Sequence, residues 1–218
     1  MRGKRLEVGR KAPDLQRFSV FEAVPVAERR AFMSAALKDP VTERAVGAMV
    51  GMAVGDAVGA PLEFLSAGEQ EPGFNPVTFK YEDEYNKFRL QRGQWTDDCS
   101  MGLCMADSLL LNRGYDGSDM RVRFWNWWYR GYDNAFRKDT WRDGSVGLGG
   151  NIGKSLDDIF DANPTPRFEA ATEDSGNGSL MRLAPVPLFF HKDPLQAARW
   201  SSESSYSTHP GPIAAEVC

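Results

Sequence analysis

Three consecutive oxygen-bearing side chains, at the predicted start of a helix, form the sharpest chemical motif in the sequence. They are Thr96, Asp97 and Asp98. Carboxylate and hydroxyl oxygens are the donors that Mg²⁺ and other hard cations prefer, so the motif could hold a divalent ion. A structural role is the alternative, because Thr is a favoured N-cap and Asp in a first turn complements the helix dipole. The motif by itself leaves both roles open.

A glycine-containing turn, SGNGSLMR at residues 175–182, is the second candidate for chemistry. Gly176 and Gly178 permit backbone conformations that point successive N–H groups at an anion, and we expect a helix to begin directly behind them. This arrangement suits a phosphate of a nucleotide-like ligand. Because the motif matches neither a Walker nor a dinucleotide-binding fingerprint, a plain turn with a helix cap remains the alternative.

Glycines recur at every fourth residue of an apolar segment, between residues 47 and 59. This spacing places them on one stripe of a helix, and each costs about 1 kcal/mol relative to Ala, so we expect something to pack closely on that stripe. Asp56 and the glycines interrupt the segment, which predicts a core helix at residues 45–62 rather than a membrane span. Asp56 and Glu63 lie seven residues apart, so a face directed at a ligand also stays open.

The elements that must position these motifs are predicted to be helices, and the fold class is all-α. We expect helices at residues 101–111, capped by Gly114, and at residues 118–130. A further helix precedes Pro164, the segment EDSGNGSLMRLAPVPLFF opens with turn residues and becomes an apolar helix, and Asp193 with Pro194 begins the next one. The ending AAEVC is typical of the first turn of another helix. Residues 1–40 are predicted to be an N-terminal extension, and residues 41–218 the domain.

Other clusters favour structural roles. The tryptophans at positions 125, 127 and 128 cover several faces of a helix, which is typical of core packing. Cys99 and Cys104 have no histidine or CxxC context for zinc or redox chemistry, so we predict that they are core residues. Residues 66–94 are rich in glycine, proline and charge, and are predicted to form a long functional loop.

The composition bounds the classes of protein and of partner. With 26 Lys and Arg against 30 Asp and Glu, the net charge is −4 and the pI about 5.3, which disfavours a nucleic-acid partner. The first residues lack the apolar core of a secretory signal, and three cysteines give no disulfide framework. We therefore expect a cytoplasmic protein, with no membrane partner, that is a monomer.

Five segments, taken in order, resemble the ADP-ribosylglycohydrolase family. They are GMAVGDAVGAPLEF, QWTDDCSM, GLGGNIGKSL, SGNGSLMRLAP and STHPGPIAAE. The resemblance implies an all-α enzyme that binds paired Mg²⁺ or Mn²⁺ ions. It also implies hydrolysis of the glycosidic bond between ADP-ribose and an acceptor, either an ADP-ribosylated protein or a small ADP-ribose derivative.

The resemblance assigns roles to particular residues. Thr96, Asp97 and Asp98 match the family's metal-binding segment, and Glu63 matches a glutamate that lies near the metals. The implied metal ligands are therefore these four residues, and the implied catalytic residues are Glu63, Asp97 and Asp98. Glu63 would serve as a base or as a gate over the metals, and Asp56 would have a structural role.

The ligand-binding residues that the resemblance implies lie in three later segments. The glycine-containing turn matches the loop that holds the diphosphate and ribose, and the GLGGN segment matches another loop beside the ligand. The implied residues are Asn151, Gly176, Asn177, Gly178, Ser179 and His209.

One family segment has no counterpart here. Family members carry a D-x-D-T segment after the TH motif, which supplies further metal ligands, and the sequence up to Cys218 contains none. The second metal site is therefore predicted to be incomplete. We favour a fragment of a longer protein; a truncated, impaired homologue and a chain completed by a partner are the alternatives. A non-catalytic ADP-ribose-binding or structural protein, like the lens crystallins of this fold, is the alternative function.

Overall fold

Eight α-helices carry the fold in the part of the chain that the structure describes. The structure is a computed structural model, and it describes residues 24–64, 74–75, 77, 80–81, 87–136, 139, 141–142, 144–171 and 175–218. The helices are α1 (Val26–Ala36), α2 (Pro40–Gly59), α3 (Asp97–Asn112), α4 (Gly117–Arg130), α5 (Gly150–Asp157), α6 (Pro185–Phe189), α7 (Pro194–Ser205) and α8 (Pro212–Val217). The predicted all-α class is confirmed.

Two very short strands lie in the segment predicted to be a long loop. Strands β1 (Phe74–Asn75) and β2 (Lys80–Tyr81) pair in antiparallel fashion, with Phe74 opposite Tyr81. Most of the predicted loop between residues 66 and 86 lies outside the described residues, as do residues 1–23 of the predicted extension. Helix α1, which belongs to that extension, packs on α2.

The core is centred on α3 and α4. Helix α3 packs against α4, α6 and α2, and α7 packs against α6 and α8. The fully buried side chains at the centre include Met101, Cys104, Met105, Met120, Phe124 and Trp127. The predicted core positions of Cys99, Cys104, Trp125 and Trp127 are confirmed, and Trp128 packs against the same core from a half-buried position.

Several predicted helix ends shift by a few residues. Helix α3 ends in a left-handed residue at Arg113, with φ of 54°, and not at the predicted Gly114. The N–H groups of both residues donate to the carbonyl of Leu109, so the turn closes before the glycine is reached. Helix α5 ends at Asp157, well before Pro164. Helix α7 begins as predicted, with the Asp193 carboxylate accepting from the N–H of Gln196.

Helix α2 is not the buried core helix that its composition predicts. Asp56 is its one buried residue, and Val50 and Val54 are exposed. Apart from the neighbouring backbone of the helix itself, no described atom lies within 4 Å of a Cβ built on any of its four striped glycines. Apolar periodicity shows which residues share a face, but it does not show whether another element covers that face.

By length and composition, the segment Pro40–Leu62 could cross a membrane. Its most apolar window has a mean hydropathy of 1.5, and 11% of that window is buried. Core helices of soluble proteins reach similar hydropathy, so this property alone assigns no membrane role. The absence of a membrane partner therefore stays a prediction.

A buried polar group fastens α4 to α3 inside the core. The Tyr132 hydroxyl donates to the Asp107 carboxylate at 2.5 Å and accepts from the Arg123 guanidinium at 2.9 Å. Arg123 also pairs with Asp119 at 2.7 Å. Asp133 lies beside this group, and its burial, followed by the charge of Asp107, raises the pKa of the Asp133 carboxyl well above its ordinary value.

Candidate functional site

The junction between α2 and α3 is held by one buried carboxylate. Asp56, on α2, accepts from the Thr96 N–H with both oxygens at 2.9 Å and from the Thr96 hydroxyl at 2.8 Å. It also accepts from the Cys99 N–H at 3.0 Å. Because the first N–H groups of a helix have no partner within it, this carboxylate from another helix caps α3.

The expectation that the Thr96 side chain caps α3 is therefore wrong. Thr96 occupies the N-cap position of α3, but its side chain makes no capping hydrogen bond and donates to Asp56 instead. The sequence signal for this cap was available in Asp56, a charged residue within an apolar helical segment. Its partner could not be read from local spacing, because Thr96 lies 40 residues away.

Asp97 and Asp98 follow in the first turn of α3 and repel each other. Burial raises the pKa of Asp97 to about 8, and the charges of Asp98 and Asp56 add to the effect. Burial raises the pKa of Asp98 to about 6, with contributions from Asp56 and then Glu63. The strongest charge effects on both groups thus come from other carboxylates. Such a cluster is stabilised by a bound cation, which favours the ionised forms.

Glu63 lies at the edge of this acid cluster, which we define as Asp56, Glu63, Asp97 and Asp98. Its side chain is exposed, and partial desolvation followed by the charge of Asp56 raises its pKa, while Lys87 opposes the rise. The next residue, Phe64, has a φ of 71°, a left-handed conformation that is uncommon outside glycine.

The acid cluster has the donor chemistry of a hard-cation site. The oxygens of Asp97 and Asp98 suit Mg²⁺ or Mn²⁺, because hard cations prefer carboxylate oxygens as ligands. Among the described residues, however, no three Asp, Glu, His or Cys side chains come close enough together to hold one ion. The predicted set of Thr96, Asp97, Asp98 and Glu63 is thus gathered at one helix end without forming a closed ligand shell.

The GLGGN segment lies directly against the acid cluster. Gly147 has a φ of 90°, and a Cβ built on it would lie 2.8 Å from Cγ of Asp97 and closer still to its carboxylate oxygen. Only glycine fits this position, for both conformational and steric reasons. Helix α5 then begins at Gly150, and both the predicted ligand-binding residue Asn151 and the following Ile152 are buried.

The glycine loop, defined as residues 175–179, packs against α5 and His209. A Cβ built on Gly178 would lie 2.9 Å from Cδ1 of Ile152 and 2.8 Å from Cε1 of His209. A Cβ on Gly176 would lie 3.6 Å from Nε2 of His209. The structure therefore places Gly176, Gly178 and His209 together; Ser179 is buried beside them and Asn177 is exposed.

The helix expected directly behind the glycine loop is absent. Residues 177–182 form successive turns, with the Met181 N–H donating to the Asn177 carbonyl and the Leu183 N–H to the Leu180 carbonyl. Pro185 and Pro187 have no N–H to continue an α-helical ladder, and the five-residue α6 begins only at Pro185. An anion at the loop would therefore meet the N–H groups of turns, without the helix expected directly behind it.

Arg182 is the residue of this region that the sequence analysis missed. It is completely buried, with its guanidinium 4.6 Å from the centre of the Phe124 ring. It donates to Thr208 Oγ1 at 2.7 Å, to Ser207 Oγ at 3.0 Å and to the Ser204 carbonyl at 3.3 Å. Burial lowers the pKa of Arg182 to about 10, so the guanidinium remains charged at neutral pH.

Sequence comparison assigns the family. The profile of the ADP-ribosylglycohydrolase family matches residues 37–218 of the chain. The chain belongs to this family. The resemblance drawn from the five ordered segments is thereby confirmed.

Named relatives share the same region of sequence. ADP-ribosylarginine hydrolase Tri1 of Pseudomonas putida (strain GB-1) is 31% identical over 193 residues, which cover 81% of this chain and 44% of the relative. ADP-ribosyl-[dinitrogen reductase] glycohydrolase of Rhodospirillum rubrum is 29% identical over 182 residues, covering 82% of this chain and 55% of the relative. The chain therefore spans about half the length of these curated relatives.

A solved structure supports the same assignment. A chain of an ADP-ribosylglycohydrolase-related protein complex superposes with a TM-score of 0.58 and 32% sequence identity. The match covers 79% of the present chain and 51% of that chain. The shared fold thus extends over most of the 218 residues.

Proposed function

We propose that this chain provides the acid cluster and the ADP-ribose-binding loops of a metal-dependent ADP-ribosyl hydrolase. The observation that carries the proposal is a continuous path of contacts between the two groups. Asp97 packs on Gly147, and the segment from Gly147 leads to Ile152, which packs on Gly178 beside His209. A ligand of the size of ADP-ribose could contact carboxylates at one end of this path and phosphate-binding N–H groups at the other.

The substrate class follows from the chemistry at the two ends. The turn N–H groups and His209 suit the diphosphate and ribose oxygens, and Asn151 and Ser179 flank them. The acid cluster suits the bond at C1 of a ribose. Since Tri1 is named an ADP-ribosylarginine hydrolase, a protein carrying ADP-ribose on arginine is the first substrate to test.

Cleavage of that glycosidic bond passes through an oxocarbenium-like state and requires an activated water. When bound, Mg²⁺ or Mn²⁺ would orient the ribose hydroxyls and polarise this water. Asp97, Asp98 and the Thr96 oxygen are the groups that would hold the ion. Glu63 is exposed, and its raised pKa suits a base that accepts the proton of the water. Asp56 keeps these residues in place by capping α3.

The chain supplies only part of a two-ion site in this proposal. The described carboxylates fall short of one closed ligand shell, and the curated relatives are about twice as long as the matched segment. We infer that further ligands come from the half of the family fold that lies outside these 218 residues. The 218-residue chain alone is then expected to hydrolyse ADP-ribosyl bonds poorly. Its cytoplasmic location, its monomeric state and a domain covering residues 41–218 are further parts of the proposal.

A release assay with matched proteins tests the proposal. Peptides mono-ADP-ribosylated on arginine or on serine are incubated with Mg²⁺ or Mn²⁺ and either the 218-residue chain or a version extended with the C-terminal half of Tri1. The extended protein should release ADP-ribose at least 10²-fold faster, which is about the cost of losing one electrostatic stabiliser. The extended protein carrying Asp97→Asn is the inactive control. Equal turnover by the short and extended proteins would overturn the two-ion argument.

A non-catalytic ADP-ribose-binding protein is the second candidate. It is favoured by the incomplete ligand shell among the described carboxylates. The same assay separates the two functions, because this candidate predicts that both proteins bind ADP-ribose while neither releases it from peptides.

A further inference from the structure

Two exposed aromatic side chains lie on one continuous surface beside the acid cluster. Phe64, the residue after Glu63, is 61% exposed, and its ring meets the Phe88 ring edge-on with the ring centres 5.8 Å apart. Trp141 is 52% exposed, and its ring centre lies 4.4 Å from the Arg142 guanidinium. Arg142 also donates to the Phe88 carbonyl at 2.7 Å, which joins the two aromatic residues through one chain of contacts. Exposed apolar residues that adjoin one another are typical of an interaction site, whereas single ones are ordinary.

A buried ion pair holds the backbone under this surface. Arg142 pairs with Asp139 at 3.2 Å, and the two side chains are only 7% and 2% exposed. The other Asp139 oxygen accepts from the Gln94 amide at 2.9 Å. One Arg142 nitrogen donates to the carbonyls of both Phe88 and Arg89 at 2.7 Å, and Arg89 has a left-handed φ of 51°. The stretch is thus fastened at both ends, which reduces the entropy that its ordering would cost when a partner binds.

Exposed cations flank the aromatic side chains. Residues 87–94 carry three cations and no acidic residue, although the net charge of the whole chain is −4. Lys87 and Arg89 are exposed, and the Lys87 ammonium lies 3.5 Å from the centre of the Phe64 ring. A surface that combines aromatic rings with cations is complementary to an acidic partner. We define the aromatic–cationic face as Phe64, Lys87, Arg89 and Trp141.

The aromatic–cationic face adjoins the end of the candidate site from which the acceptor extends. In the proposed function the diphosphate lies at the glycine loop and C1 of the ribose lies at the acid cluster. Whatever is bonded to C1 therefore continues beyond the acid cluster. Phe64 directly follows Glu63, and the charge of Lys87 acts on the Glu63 carboxyl. The modified residue of an acceptor protein, and the residues on either side of it, thus come next to this face.

We propose that the aromatic–cationic face binds an acidic segment of the acceptor protein, next to the ADP-ribosylated residue. Phe64 and Trp141 pack on this segment, and Lys87 and Arg89 pair with its carboxylates. These contacts lie outside ADP-ribose itself, so they add affinity for the modified protein and none for free ADP-ribose. The inference rests on the proposed function, from which it takes the orientation of the ligand.

Binding of four ligands to the 218-residue chain tests the proposal. They are free ADP-ribose, a peptide ADP-ribosylated on arginine with acidic flanking residues, the same modified peptide with basic flanking residues, and the unmodified acidic peptide. Calorimetry in Mg²⁺ gives each Kd, and mass spectrometry checks that the modified peptides stay intact. The acidic modified peptide should bind about tenfold tighter than free ADP-ribose and than the basic modified peptide. This advantage should shrink as the NaCl concentration rises from about 0.05 M to about 0.5 M.

Variants of the aromatic–cationic face separate its contacts from general effects on the fold. Trp141→Ala should raise the Kd of the acidic modified peptide about tenfold and leave the Kd of free ADP-ribose within about twofold. Trp141→Phe keeps an aromatic ring and should stay within about threefold of the parent, so it serves if the alanine variant folds poorly. Phe160→Ala removes a similarly exposed ring outside the face, and it should change neither Kd.

A charge reversal tests the electrostatic part by a gain of binding, which misfolding cannot produce. Arg89→Glu should weaken the acidic modified peptide and tighten the basic one, each by about threefold to fivefold. Lys192→Glu makes the same change in charge on an exposed residue outside the face, and it should leave both peptides unchanged. Equal responses to Arg89→Glu and Lys192→Glu would show that only the net charge of the chain matters, and the proposal would be overturned.

The same titrations distinguish failure of this inference from failure of the proposed function. If free ADP-ribose binds, but the acidic and basic modified peptides bind equally, the acceptor role of the face is overturned and the proposed function stands. An unmodified acidic peptide that binds as tightly as the modified one would also overturn that role, because the binding would not involve the candidate site. If neither ADP-ribose nor any modified peptide binds, the proposed function is overturned and this inference with it.

Discussion

Two charged groups lie along the candidate site: the acid cluster at the start of α3, and the buried Arg182 guanidinium in the turns that follow the glycine loop. The carboxyl groups of Asp97 and Asp98 have raised pKa values because burial and neighbouring carboxylates oppose their ionisation. The Arg182 guanidinium is more deeply buried, and two hydroxyls, a carbonyl and an aromatic ring surround it. The acid cluster is thus built to gain from a ligand cation, while the Arg182 guanidinium already donates through one nitrogen to protein acceptors and leaves its buried Nε without a hydrogen-bond partner.

The largest effect should come from removing the buried cation. Arg182→Met deletes the hydrogen bonds to Ser204, Ser207 and Thr208 in a fully buried position, so the free energy of unfolding should fall by about 2–4 kcal/mol. Urea denaturation measures the loss. Arg199→Met is the matched control, because Arg199 is exposed and stacks on Trp200, and it should change stability by about 0.5 kcal/mol or less. Equal losses in the two variants would remove the contrast between the two charged groups.

The acid cluster should respond differently to Asp97→Asn. Burial keeps the Asp97 carboxyl mostly protonated at neutral pH, and Asn is a neutral group of similar shape that is tolerated near a helix start, so the metal-free protein should be about as stable as the parent. The affinity for Mg²⁺ or Mn²⁺ should fall at least about tenfold. Calorimetric titration and thermal melting in EDTA measure the two effects. Unchanged metal affinity would return Asp97 and Asp98 to a purely structural role.

The pH dependence of stability should show both the acid cluster and the buried Asp133. A carboxyl whose pKa is raised in the folded state holds its proton there more tightly than in the unfolded chain, so stability falls as pH rises above about 4. Each such group contributes at most about 1.4 kcal/mol per pH unit. In EDTA the free energy of unfolding should therefore decline between about pH 5 and 8, through Asp97, Asp98 and Asp133.

Magnesium and Asp133→Asn should separate these two sources. Saturating Mg²⁺ stabilises the ionised acid cluster, which should reduce the slope, and Asp133→Asn should remove most of what remains. Urea denaturation at several pH values, with and without Mg²⁺, measures the slopes. A free energy of unfolding that increases with pH in EDTA would contradict the raised pKa values.

The smallest effect should distinguish two glycines of the same loop. Gly178→Ala places a Cβ 2.8 Å from His209 and 2.9 Å from Ile152, so these side chains must move; stability should fall by about 1–2 kcal/mol and ADP-ribose affinity should weaken. In Gly176→Ala the nearest contact is an ordinary 3.6 Å, so the change should stay within about 0.5 kcal/mol. Thermal melting and ligand titration compare the pair. Similar behaviour of both variants would show that His209 does not lie so close to Gly178.

The sequence predicted features that rest on local signals. The predicted start of α7 depends only on adjacent residues, Asp193 as the N-cap and Pro194 as the first helical residue. The structure has the same start. The core positions of Cys104 and Trp127 follow from apolar residues on helices. The five ordered segments were sufficient for the family, because each carries its own motif.

Features that depend on distant partners were not predictable in the same way. The cap of α3 comes from Asp56, and Arg182 finds its partners Ser207 and Thr208 more than 20 residues later. The exposure of α2 also escaped prediction, because its glycine stripe says nothing about what covers it. The helix missing behind the glycine loop is a different case, because a local signal was present. Pro185 and Pro187 have no N–H to donate to a preceding carbonyl, which already disfavours an α-helix that runs from the loop through these residues.

The central claim is that the acid cluster and the glycine loop belong to one site, and calorimetric binding of ADP-ribose tests it most directly. The Kd of the 218-residue chain for ADP-ribose is measured in Mg²⁺ and in EDTA, with Asp97→Asn as the control. If the cation and the ligand share the site, Mg²⁺ should tighten binding about tenfold or more, and linkage requires ADP-ribose to tighten Mg²⁺ binding by the same factor. Asp97→Asn should lose this dependence. An ADP-ribose Kd that is the same in Mg²⁺ and in EDTA would contradict the claim.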